Sequence, residues 1–96
     1  MYDKKLIMSI AGSMAVSYKK NRPDAEMNEI LNHIMRNIIS KKDIKIFGIA
    51  AASYVVDYLN KNPNSTEKRV MQNLVNEADS IINSIEKQDN SIEIKN

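Results

Sequence analysis

Apolar residues recur at three- and four-residue spacing in four stretches of this chain, the pattern of amphipathic helices, and the breaks between the stretches are short. The first stretch, from about Asp3 to Lys20, groups Leu6, Ile7, Ile10, Ala11, Met14 and Tyr18, with Ser9, Ser13 and Ser17 as a small polar stripe alongside. Gly12 lowers helix preference by about 1 kcal/mol relative to Ala, so this helix is expected to be the least secure, bent or frayed. Asn21-Arg22-Pro23-Asp24 ends it, and Pro23 is expected to open the second helix, where Asp24 and Glu26 suit the positive end of the dipole. In that helix Met27, Ile30, Leu31, Ile34, Met35, Ile38 and Ile39 form one stripe, opposite Glu26, Glu29, His33, Arg36 and Asn37. Lys41 and Lys42 suit its carboxyl end.

The third stretch contains an uncharged run, Ile46 to Val56, which as a helix would span roughly 16 Å, about half of a bilayer's ~30 Å hydrocarbon layer. A buried helix is therefore expected over Ile44 to Lys61, with Asp43 as its N-cap. Gly48, Ala51 and Ala52 would permit close approach by a neighbour, while Phe47, Val55 and Tyr58 fill volume. This should be the most buried helix, and apolar surface its neighbours leave uncovered, at Tyr54, Tyr58 and the nearby alanines, would meet a second copy or a partner. Asn60-Lys61-Asn62-Pro63-Asn64 reads as a turn, followed by Asn64 and Glu67 in a capping-box-like pair with Ser65 as the competing cap. The fourth helix carries Met71, Leu74, Ala78, Ile81 and Ile85, widened by Val70, Val75 and Ile82.

Short connections place consecutive helices antiparallel, so the expected fold is all-α, an up-down antiparallel four-helix bundle. One domain over 1–87 is expected, with 88–96 a loosely ordered tail in which Ile92 and Ile94 alternate as a strand would. The sequence shows no evident internal repeat. A length of 96 residues, 43% of them hydrophobic, with only two Gly and two Pro, supports one core and argues against disorder.

With no cysteine, disulfides, thiol nucleophiles, iron–sulfur clusters and Cys-based zinc sites are excluded. Lys4 and Lys5 precede an apolar stretch that imitates a signal peptide, but Ser9, Gly12 and Ser13 break it, and a first bundle helix in a cytoplasmic protein is expected. The net charge of +2 is too mild to indicate nucleic acid by itself. The charge is uneven: residues 1–48 hold nine Lys/Arg against five Asp/Glu, whereas residues 49–96 hold five against seven.

His33 is the only histidine, which excludes a two-histidine zinc site, and Glu29 stands four residues before it, once, where di-iron bundles repeat a Glu-x-x-His unit. A solvated surface histidine is the simpler reading. The serine stripe lacks a base on its own helix and reads as a packing feature. Asp57, between Tyr54 and Tyr58, could be buried with a raised pKa, although its place near a helix end favours exposure. No glycine-rich phosphate loop is present, and the chain reads as a non-enzyme with no cofactor and no metal.

Lys19, Lys20, Arg22, Lys61, Lys68 and Arg69 gather near one bundle end, with Lys4, Lys5, Lys41, Lys42 and Lys45 near the other. Either set could meet nucleic-acid phosphates or, peripherally, an anionic membrane surface, yet both are interleaved with acids and lack stacking aromatics. Tyr54 and Tyr58 share a helix face and, with Tyr18, suggest an amphipathic contact patch against the alternative of core-edge tyrosines. The partner-binding candidates are therefore Tyr18, Tyr54 and Tyr58 with Lys19, Lys20, Arg22, Lys61 and Arg69. A protein partner or self-association is the first expectation; the second is a nucleic-acid-associated accessory protein of a defence or viral complex.

Glu29, Ile30 and Leu31 in the second helix, with Asn60-Lys61, Thr66-Glu67 and Leu74 across the last turn, resemble the bacteriocin immunity proteins of the enterocin A type over about Asp3 to Lys87. The third helix is more apolar and alanine-rich than in that family. The resemblance implies a cytosolic, non-catalytic protector against a membrane-directed peptide, acting through a sugar-permease receptor.

Overall fold

The computed structural model describes residues 4–38 and 42–94. It contains four α-helices: α1 (Lys4–Asn21), α2 (Met27–Asn37), α3 (Lys42–Lys61) and α4 (Glu67–Ile94). They form the up-down four-helix bundle expected from the periodicity. Asp3 and Ile39 to Lys41 lie outside the described residues.

The boundaries correct several local readings. Pro23 sits in the turn, and α2 begins only after Glu26, whose backbone is extended and whose side chain caps nothing. Asp43 lies inside α3, which already starts at Lys42. The cap of α4 is Thr66, whose Oγ1 accepts the Arg69 N–H at 3.2 Å, in place of Asn64 or Ser65. The last helix continues past Lys87 to Ile94. At about 1.5 Å per residue its 28 residues span roughly 42 Å, which accounts for the 44 Å long dimension of the molecule.

The turns reveal an organisation that the sequence reading missed. Arg22 N–H donates to Tyr18 O at 2.9 Å and Ala25 N–H to Arg22 O at 3.0 Å; forty positions later, Asn62 N–H donates to Tyr58 O at 2.8 Å and Ser65 N–H to Asn62 O at 3.1 Å. The first helical bonds, Ile30 N–H to Glu26 O and Val70 N–H to Thr66 O, match in the same register at 3.1 Å each. Pro23 and Pro63, Tyr18 and Tyr58, Val16 and Val56, and Ala11 and Ala51 are identical pairs at that offset. The core repeats with it: Ile7 and Phe47, Ala15 and Val55, Ile30 and Val70, Ile34 and Leu74, and Ile38 and Ala78 are buried in both halves. The chain is built of two similar helical hairpins, α1–α2 and α3–α4, although α4 is 28 residues long and α2 only 11. Few positions are identical, so the correspondence shows only once turn bonds and burial are compared.

The hairpins join through α1 and α3, which make the most extensive helix contact. The two helices run parallel: Lys4 lies over the Phe47 ring at the start, Gly12 faces Val55 midway, and Lys20 Nζ donates to Ser65 O at 2.6 Å at the end. Both turns therefore lie at one end of the bundle. Helices α2 and α4 each touch both α1 and α3 but, among the described residues, not each other. They flank the central pair on opposite sides, an arrangement with approximate two-fold symmetry about an axis along the bundle.

Small residues make the central contact. Ala11, Ala15, Ala51 and Ala52 are all fully buried, and a Cβ built on Gly48 would stand 3.1 Å from Ile7 Cγ2 and 3.4 Å from Ala11 Cβ. Gly12 serves the same end, since a Cβ there would lie 2.5 Å from Leu74 Cδ2. Its propensity cost is offset by packing, and α1 is continuous from Lys4 to Asn21 where bending or fraying was expected. A Gly48→Leu variant would force these backbones apart. We expect a loss of about 1–3 kcal/mol of stability, read as a lower thermal midpoint and denaturant midpoint with the helical circular dichroism signal retained.

Candidate functional site

The repeat gives two equivalent places to look, the outer face of α1 beside α2 and the outer face of α3 beside α4. On α1, Leu6, Ile10, Met14 and Tyr18 form one i, i+4 ridge and Ser9, Ser13, Ser17 and Asn21 form the next. Leu6 is 48% exposed and Ile10 38%, so both stand outside the core to which the periodicity assigned them. The serines do not serve tight packing, as expected of them, but line the surface; the close approach is made by Ala11, Gly12 and Ala15 on the other side of the helix. Ile10, Met14 and Tyr18 with Ser13, Ser17 and His33 border an open groove of about 730 Å³.

The upper end of this groove is polar. The Tyr18 hydroxyl donates to Glu29 Oε2, and Arg22 Nη1 pairs with the same carboxylate oxygen at 2.9 Å. His33 is half-buried against the Tyr18 ring, centroids 4.8 Å apart and planes tilted by 48°, which corrects the reading of it as a solvated surface residue. Its neighbour Asn37 donates Nδ2–H to His33 O at 2.6 Å. As acceptor of the Tyr18 hydrogen bond, Glu29 holds the phenol above its ordinary pKa of 10.0; burial and the negative charge of Glu29 act in the same sense, and Arg22 opposes.

The equivalent face of α3 is filled differently. Tyr54 replaces Met14 in the repeat and stacks on Tyr58, with centroids 6.3 Å apart and planes 29° apart. Asn73, the counterpart of His33, donates Nδ2–H to the Tyr58 hydroxyl at 2.9 Å. Burial first, then the charges of Glu77 and Tyr58, raise the Tyr54 pKa. Asp57 is exposed and paired with Lys61 at 3.1 Å, as its place near the helix end favoured.

Tyr18, Tyr54 and Tyr58 therefore do not form one patch. Tyr18 lies against α2 and the other two against α4, on faces related by the two-fold. Of the alanines of α3, Ala51 and Ala52 are fully buried and unavailable to a partner, whereas Ala50 is half-buried. Lys19 and Lys20 do gather at the turn end, beside Pro23 and Pro63, where Lys19 Nζ donates to Ala25 O at 3.1 Å and Lys20 Nζ to Ser65 O. Arg22 and Lys61 are held in ion pairs, and Arg69 borders a shallow depression with Tyr58 and Thr66.

No group of side chains able to hold a metal ion occurs among the described residues, and no helix there is long and apolar enough to cross a membrane. No family model, curated protein or solved structure matches the chain. Leu6 and Ile10 on α1, with Met35, Ile46 and Val75 elsewhere, are exposed apolar residues that the periodicity had assigned to the core. The available signal was that the apolar residues of α1 occupy more of its circumference than one stripe requires.

Because the phenol is held protonated in the folded protein, whatever stability Tyr18 contributes is complete below about pH 10 and is lost as pH rises through its folded pKa. Absorbance titration at 295 nm should show Tyr18 ionising later than a free phenol, and Glu29→Gln should move that step down towards 10. An unchanged step in the variant would remove Glu29 as the cause.

Proposed function

We propose that this protein is a non-catalytic binding module whose partner-binding face is the outer surface of α1 and the groove beside it, and that it takes an apolar-ridged helix of another polypeptide. One observation carries the reading: from Leu6 to Tyr18 the face of α1 bearing Leu6, Ser9, Ile10, Ser13, Met14, Ser17 and Tyr18 holds no charged residue, charge returning only at its end with Lys20 and Arg22, and Leu6 and Ile10 stand exposed on it. A solvated helix face normally carries charge, and an exposed apolar strip flanked by small polar groups suits helix-in-groove recognition. Tyr18 and Arg22, from the sequence-derived set, sit at the polar end of this surface. Binding without catalysis is also the class of activity that the enterocin A-type resemblance implies.

The nucleic-acid alternative draws less support, because much of the basic charge is spent within the chain. Lys4 pairs with Glu86, Lys5 with Asp79, Arg22 with Glu29 and Lys61 with Asp57. Phosphate contacts would have to displace these acids.

A photo-crosslinking side chain at Ile10, compared with one at the exposed but remote Val75, tests the assignment in extracts of native cells. Protein adducts at Ile10 and none at Val75 are expected. Equal labelling at both positions, or none at Ile10, would remove the α1 face as the binding surface, and tight DNA or RNA binding at low salt would favour the alternative.

A further inference from the structure

We infer that the outer face of α1 docks against the same face of a second copy, forming a two-fold dimer in which the two α1 helices cross near Ser13. The inference rests on the binding reading above and names its partner. A two-fold interface must be self-complementary, so each copy has to supply both a raised and a recessed feature side by side. The α1 face does so by side-chain size: Leu6, Ile10 and the half-buried Met14 form a row of large apolar side chains beside a row of small ones, Ser9, Ser13 and Ser17, both at i, i+4 spacing. The ridge of one copy fits the serine furrow of the other, and the reverse holds by symmetry. Interdigitating i±4 rows set a crossing angle near −50°, which carries the ends of the two helices away from each other.

Charge favours a second copy over an acidic or basic partner. The contact face has no charge to match, while the lysines and arginine near the ends of α1 are already engaged at home. Lys4 and Lys5 are paired with Glu86 and Asp79, Arg22 with Glu29, and Lys19 and Lys20 donate to Ala25 O and Ser65 O. Near Ser13, where the two helices would cross, the faces carry no charge, and the crossing angle carries the cationic Lys19 and Lys20 of each copy away from the contact. The repeat gives an internal contrast: the equivalent face of α3 also exposes an apolar residue, Ile46, but carries Asp57, Lys61 and Tyr54, and has Ile49 and Asp57 where α1 has Ser9 and Ser17.

Light scattering and sedimentation equilibrium on the purified full chain read the outcome. We expect a mass of two chains, falling to one with Ile10→Lys and unchanged with Val75→Lys, both variants retaining the helical signal. Because the chain has no cysteine, Ser13→Cys supplies a second readout: oxidation should give a disulfide-linked dimer, and Val75→Cys should not. A chain that stays monomeric to millimolar concentration overturns the dimer, as does a dimer lost with Val75→Lys and kept with Ile10→Lys. If the chain is monomeric while a crosslinker at Ile10 still captures a different protein, self-association fails and the binding reading stands; if Ile10 captures nothing, both fail.

Discussion

The backbones of α1 and α3 approach closely at glycine and alanine positions, with Ile7 and Val55 packed against the two glycines, and the rest of the bundle takes its positions from that contact. Ala11 on one helix meets Gly48 on the other, and Ala15, Ala51 and Ala52 are likewise shielded from solvent. Burying so little side-chain volume brings the two axes together and leaves a hollow on each side, which α2 and α4 fill with Ile30, Ile34, Val70 and Leu74. Gly12 extends the arrangement by admitting Leu74 against α1. Packing at native density depends on such matching of small against large, and one added branch at the centre is felt throughout.

The correspondence of the two hairpins makes the matching hold twice. Each hairpin supplies one central helix and one flanking helix, and the two-fold makes the same residues solve the same problem on both sides. Divergence then appears where packing does not constrain it. Tyr54 with the Asp57–Lys61 pair fills and charges the outer face of α3, whereas Met14, the serine stripe and exposed Ile10 leave the outer face of α1 open and uncharged. The scaffold is nearly symmetric and the surface chemistry is not, which is how one of two equivalent faces becomes the binding face.

Much of the fold was legible in the sequence. Four periodic stretches and two proline turns were enough for four helices and their antiparallel order, and the Gly48, Ala51, Ala52 spacing pointed to a close neighbour. Its identity was hidden, because i, i+4 periodicity says which side of a helix is apolar and nothing about which helix covers it. The same limit misplaced Leu6 and Ile10: both fit the α1 stripe, yet they sit at its edge, where no flanking helix reaches. The tyrosines were read as one patch because sequence distance is silent about the two-fold that sends Tyr18 and Tyr58 to opposite faces. Helix starts erred by up to four residues, at Pro23 against Met27, and by one or two at Thr66, because Asn64, Ser65 and Thr66 are each good N-caps and only the turn geometry selects among them.

The parallel α1–α3 contact is best tested by a disulfide across it. A Cβ on Gly48 would stand 3.4 Å from Ala11 Cβ, close to the roughly 3.5–4.5 Å of disulfides, and the chain has no other cysteine to compete. Ala11→Cys with Gly48→Cys should oxidise within one chain at high dilution and raise the thermal midpoint relative to the reduced form. A double variant that gives only crosslinks between chains, or none while remaining folded, would contradict the parallel central pair and the two-hairpin architecture built on it.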